Sequence, residues 1–194
     1  MAGEARGTST TAWRDLTREI ESCTRCPLHA SRTHAVVYRG AEHPRVLFVG
    51  EAPGAEEDRL GRPFVGRSGR VLDAGIAELG VHAEPIGIVN LLKCRPPGNV
   101  YSRNAAATCR PYLDRQIALL SPRLIVSLGA RALTALDGTA PPITQASGRA
   151  RRAGPWRVFP LLHPAATFRS RRNLEQWHRD LDRLRSYLAA PANG

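Results

Sequence analysis

Lysine is nearly absent from this chain of 194 residues: Lys93 is the only one, and it stands directly before a cysteine. No lysine is therefore placed for Schiff-base chemistry. Acidic residues are also scarce, with 17 Asp and Glu against 28 Lys and Arg, and the formal net charge is +11. A GC-rich genome would explain the preference for Arg over Lys, but not the basic excess. That excess favours a polyanionic partner, nucleic acid first. No run of about 18 apolar residues occurs, so no membrane span is expected. The segment Met1–Thr11 lacks an apolar stretch of the kind a secretory signal needs, and a cytoplasmic, nucleoid-associated location is expected. Cysteine is limited to four positions, and disulfides are disfavoured in that compartment.

What is present is an alternation of two patterns. Four short, β-branched-rich runs, at 45–49, 86–92, 124–128 and 156–162, are bounded by Gly or Pro as buried strands are. Between them lie helical periodicities. Residues 68–79 place Val71, Leu72, Ile76 and Leu79 on one face. Residues 105–120 do the same with Cys109, Leu113, Ile117 and Leu120, with Pro111 read as a kink or first-turn residue. A shorter helix is expected over 130–136, and helices over 11–22 and 173–188 bracket the domain. Strands alternating with helices mean parallel pairing. The expected fold is α/β: three-layer α/β/α with a central, mostly parallel four-stranded sheet. The expected organisation is a single domain over 11–188 with disordered tails at 1–10 and 189–194. Ligands of such sheets bind beyond the carboxyl ends of the strands. Gly50-Glu51-Ala52-Pro53-Gly54, Asn90 and His163-Pro164 all fall there.

The cysteines are Cys23, Cys26, Cys94 and Cys109, a C-x2-C pair followed far along by C-x14-C. A C-x2-C turn can present two thiolates to one centre. Arg25, Arg95 and Arg110 flank the cysteines and favour the thiolate form. Spacing alone does not separate zinc from a [4Fe–4S] cluster, since both accept four thiolates.

Taken together and in order, these motifs resemble family 4 uracil-DNA glycosylases. Gly50–Gly54 followed by Gly61-Arg62-Pro63-Phe64-Val65-Gly66-Arg67-Ser68-Gly69 is similar to that family's first motif. Val89-Asn90-Leu91-Leu92-Lys93-Cys94-Arg95-Pro96-Pro97 is similar to its second block, and Phe159-Pro160-Leu161-Leu162-His163-Pro164-Ala165 to its closing motif. The resemblance covers about 23–188. It implies a [4Fe–4S] cluster on the four cysteines, a uracil-DNA glycosylase-like fold, and removal of uracil from DNA by hydrolysis of the N-glycosidic bond. It implies base excision repair by a monomer acting on uracil-containing DNA.

The residues suit that chemistry. A glycosylase must take the base out of the stack before a pocket can hold it. Phe64 offers a ring for the flipped base, and stacking is worth on the order of 1–3 kcal/mol. The carboxamide of Asn90 can accept from uracil N3–H and donate to O4, a pattern that cytosine reverses. His163 can donate to uracil O2, where negative charge grows as the bond breaks. Glu51 is read as catalytic, positioning water or offsetting the sugar cation. The resemblance places Gly50, Ala52 and Glu57 beside the uracil. It makes Phe168-Arg169-Ser170-Arg171-Arg172 a loop that enters the duplex, with Arg169, Arg171 and Arg172 able to hold phosphates. Gly54, Gly66, Arg67 and Ser68 are the further expected DNA contacts. A related subclass bonds covalently to uracil through a histidine after the second block. Residues 95–108 contain none here, so turnover is expected.

One alternative has a different character: a non-catalytic iron–sulfur DNA-binding or damage-recognition protein. It would keep the cysteines and the basic surface without needing Asn90 and His163 at strand ends. A zinc protein of nucleotide metabolism would lack visible absorbance near about 400 nm, which iron–thiolate sites show.

Overall fold

A computed structural model describes residues 4–80 and 85–190, with side chains from residue 11 onward. The four apolar runs form the centre of one sheet: β2 (Val46–Gly50), β3 (Ile86–Asn90), β4 (Leu124–Leu128) and β6 (Trp156–Leu161). They are parallel to one another. Two short strands that the four-strand expectation did not include, β1 (Arg39–Gly40) and β5 (Arg151–Ala153), add antiparallel edges. The full order is β1-β3-β2-β4-β6-β5, so the sheet has six strands among the described residues.

Alternation along the strands divides the core in two. Leu47, Val49, Val89, Ile125 and Val158 face one side. There they meet α1 (Glu4–Glu21), α4 (Arg103–Leu120) and α5 (Ala130–Leu136). Val46, Phe48, Ile88, Val126 and Phe159 face the other. That side is covered by α3 (Arg67–Glu78) and α7 (Arg171–Ala189). Two remaining helices are short: α2 (Ala55–Leu60) and α6 (Ile143–Ala146). The result is the three-layer α/β/α arrangement.

Several boundaries move from their expected places. Helix α1 starts at Glu4, earlier than the helix expected over 11–22, while 1–3 lie outside the described residues. At the other end α7 runs to Ala189, and 191–194 lie outside the described residues. Pro111 sits in the interior of α4 rather than in its first turn. That helix is started by Ser102, whose hydroxyl oxygen accepts from the Ala105 N–H at 3.2 Å.

Candidate active site and cysteine centre

Parallel strands deliver their last residues to one edge, and four neighbours deliver the chemistry here. Strand β3 ends at Asn90, β2 leads into Gly50 and Glu51, β4 leads into Gly129 and Arg131, and β6 leads into His163. The ladder continues past the strands themselves. Leu91 N–H donates to Gly50 O and Leu92 N–H to Glu51 O, each at 2.9 Å, and Gly129 N–H donates to Leu161 O at 2.8 Å.

Gly50, Asn90 and Phe64 meet at one point. A Cβ on Gly50 would lie 2.3 Å from Asn90 Oδ1 and 2.5 Å from the Phe64 ring, so only glycine fits. Asn90 is 1% exposed, yet its Oδ1 has no hydrogen-bond partner. A buried carbonyl oxygen left unmatched costs about 1–3 kcal/mol, and such groups are rare enough to need a reason. Phe64 is held with φ 53°, a left-handed backbone that a bulky residue seldom adopts. Its ring centroid lies 5.9 Å from that of His163, with the planes inclined at 34°.

His163 caps the short 3₁₀ stretch Pro164–Phe168. Its Nδ1 accepts from the Ala165 N–H at 3.1 Å, which puts the ring proton on Nε2. Burial, reinforced by Arg169, lowers its pKa from the ordinary 6.5 to about 4, against a smaller upward pull from Glu57. The imidazole is therefore neutral at pH 7, with Nε2–H free to act as a donor.

Glu51 is half-buried, and burial pushes its carboxyl above the ordinary range while Arg131 pulls it back. Arg131 is exposed on α5, and its guanidinium lies 4.6 Å from the centre of the Tyr101 ring. The sequence reading missed Arg131, although the strand-end rule that flagged Gly50, Asn90 and His163 applies equally to the exit of β4.

Glu57 is engaged with the backbone on both sides of the site. Its carboxylate accepts from Gly54 N–H at 3.1 Å, Val65 N–H at 2.9 Å and Gly66 N–H at 2.7 Å. It ties together the two loops on either side of Phe64, a role that spacing could not reveal. Ala52 is partly buried and packs against the core under the same turn. The expected DNA-contacting segments are brought together as well. The Arg67 guanidinium lies 3.9 Å over the ring of Phe168, which is 42% exposed. Ser68 is in the first turn of α3, and Gly66 is its N-cap. Arg169, Arg171 and Arg172 are all exposed, and Arg171 is paired with Glu175 at 3.0 Å.

Cys23, Cys26, Cys94 and Cys109 line one cavity, together with Ile20, Arg32, Lys93 and Tyr112. All four are free thiols. Arg32 donates to Cys94 Sγ at 3.2 Å and to the carbonyls of Cys23 at 2.8 Å and Glu21 at 2.7 Å. Burial raises the Cys94 and Cys109 thiols, and Arg32 and Lys93 respectively oppose that rise. Among the described residues, no three His, Cys, Asp or Glu side chains gather as ligands of a single metal ion.

Comparison with known proteins agrees with this geometry. The family model described as the uracil DNA glycosylase superfamily matches residues 37–183. A type-4 uracil-DNA glycosylase of Thermotoga maritima is 42% identical over 161 residues, covering 81% of this chain and 84% of the relative. One of Pyrobaculum aerophilum is 46% identical over 123 residues, covering 61% and 63%. One of Archaeoglobus fulgidus is 35% identical over 179 residues, covering 88% and 90%.

Proposed function

Because the chain belongs to the type-4 uracil-DNA glycosylases of the uracil-DNA glycosylase superfamily, we propose that it hydrolyses the N-glycosidic bond of deoxyuridine in DNA. Uracil is released and an abasic site remains, the first step of base excision repair. The observation that carries this reading is the unpartnered Asn90 Oδ1, buried against Phe64 and Gly50. An acceptor with no donor inside a folded protein fits a ligand that brings one, and uracil N3–H does. A DNA-binding protein without catalysis has no use for that orphaned oxygen beside a neutral imidazole.

The geometry supports a role for each residue. Phe64 stacks on the flipped base. Asn90 Oδ1 takes the N3–H, and the amide nitrogen serves O4. His163 Nε2–H donates to uracil O2 as charge builds there, and a neutral donor does this without leaving an ion behind. Glu51 faces the sugar, where its carboxylate positions water or offsets the developing cation. Glu57 is a positioning residue: it fixes both loops around Phe64. Gly54, Gly66, Arg67, Ser68, Arg169, Arg171 and Arg172 form the DNA surface, and the +11 charge draws the duplex to it. Lys93 is buried and offers no amine for a lyase step, so the enzyme is monofunctional; residues 95–108 hold no histidine to bond to uracil, so it turns over.

The four cysteines fit a [4Fe–4S] cluster. Cys23, Cys26, Cys94 and Cys109 line one cavity and would hold the cluster as thiolates, with Arg32 supplying an N–H···S contact to Cys94. When bound, the cluster supplies a structural tie between the end of α1, the segment after β3, and α4. No helix among the described residues is long and apolar enough to cross a membrane. The reading completes as a single glycosylase domain over 11–188, a monomer working on DNA in the cytoplasm.

The test is uracil release from a labelled oligonucleotide by Asn90→Ala and His163→Ala. The loss for His163→Ala is expected to be about 10²–10³ in rate, as for removal of an oxyanion donor. Full activity in both variants would discard the site.

A further inference from the structure

Lys93 is a long basic side chain with 2% exposure, enclosed between the cysteine cavity and the sheet edge. Nothing in the glycosidic chemistry uses it. Its Nζ donates to the backbone carbonyl of Asn90 and to Gln116 Oε1, each at 2.5 Å. Gln116, wholly buried, donates in turn to Val37 O at 2.9 Å. The backbone of Lys93 is engaged too: its carbonyl accepts from Val36 N–H at 2.7 Å, and its own N–H reaches Cys109. One residue thus touches the cysteine wall with its backbone and the end of β3 with its nitrogen.

The Asn90 carbonyl is the last acceptor of that strand, and it is buried. Without Lys93 it would lose the donor that fixes the peptide plane from which the Asn90 side chain springs. A small rotation there re-aims Oδ1 away from the ring of Phe64. We infer that Lys93 is a positioning residue for uracil recognition: it holds the Asn90 backbone from the cysteine side and so links the integrity of that centre to base selection. This rests on the assignment of Asn90 to the uracil.

A mutant cycle tests it, with kcat/KM for uracil excision measured in the wild type, Lys93→Met, Asn90→Ala and the double variant. All four are used as cluster-replete protein matched by visible absorbance and by thermal midpoint. The inhibition constant of free uracil is measured beside it for the wild type and Lys93→Met. Lys93→Met is expected to lower kcat/KM about tenfold and weaken inhibition by free uracil correspondingly, since it acts through a single bidentate amide. In the Asn90→Ala background the same change should cost less than about twofold, because there is no longer a carboxamide to aim. Equal losses in both backgrounds, or no loss in either, overturn the inference. If Lys93→Met fails to load its cluster, Gln116→Met frees Nζ from the other side, and the same dependence on Asn90 is required. Should Asn90→Ala alone leave excision intact, the pocket assignment itself falls. That differs from an Asn90 loss with additive Lys93 behaviour, where the pocket stands and only the link is lost.

Discussion

Two titrating side chains sit at the site, and each gives a pH prediction of its own. His163 is neutral in the folded protein, with its pKa lowered from 6.5 to about 4. The unfolded chain therefore takes up a proton first as pH falls. The stability contributed by the neutral ring is complete above pH 6.5 and is lost as pH drops towards 4. Replacing His163 by Gln, which cannot titrate, should flatten that part of the stability–pH curve in urea titrations; an unchanged slope would refute the assignment. Glu51 behaves differently. Burial lifts its carboxyl, and the positive charge of Arg131 on α5 opposes the rise. Arg131→Gln removes the opposing charge, so the acid limb of kcat/KM should shift to higher pH. A limb that stays put would mean that Glu51 does not need to be ionised for excision.

Helix α3 begins where the loop carrying Phe64 ends, and the join leaves no room. A Cβ on Gly69 would stand 2.0 Å from the Phe64 carbonyl oxygen. Gly69→Ala must therefore displace either the helix start or the left-handed Phe64, against a backbone that Glu57 clamps by three amides. The expected result is a loss of stability of roughly 1–3 kcal/mol, the range for small-to-large changes in packed regions, together with a raised KM. Melting and steady-state kinetics would show it. Elements of this kind also mark how far the chain could be read in advance. The runs at 124–128 and 130–136 became β4 and α5 without adjustment, because their apolar pattern is set by burial within the element itself. Strands β1 and β5 span only 39–40 and 151–153, are rich in Arg and Gly, and exist because a neighbour lends them a ladder. No local periodicity announces that. At the site, the places of Asn90 and His163 at strand ends, and of Phe64 in a loop framed by Pro and Gly, were legible in the sequence. The clamp by Glu57 and the approach of Arg131 and Lys93 were not, since each depends on contacts between segments that only folding brings together.

At the scale of the molecule, the N-terminal helix is held by apolar packing of α1 on α4, which includes Leu16, Ile20 and Leu113, by the Arg115–Glu19 ion pair and by the Trp13 ring against Tyr38. The proposed cluster would add a further tie, with Cys23 and Cys26 following α1, Cys94 following β3 and Cys109 within α4. Cys109→Ser should abolish the absorbance near about 400 nm expected of an iron–thiolate cluster. It should also lower the melting temperature and speed amide exchange across α1 before the sheet is affected. Retention of both colour and exchange protection would show that the cysteines are not acting as one unit.

The four central strands all point the same way, so the side where they begin carries none of the residues proposed for catalysis. Gly154 marks the hairpin tip between β5 and β6 on that far side, and a side chain added there would meet nothing within 4 Å. A reporter peptide spliced in at Gly154 should therefore leave excision at the wild-type rate. The protein then offers a tethering point for surfaces or fluorophores on the back of the molecule, while the repair face stays open to its duplex.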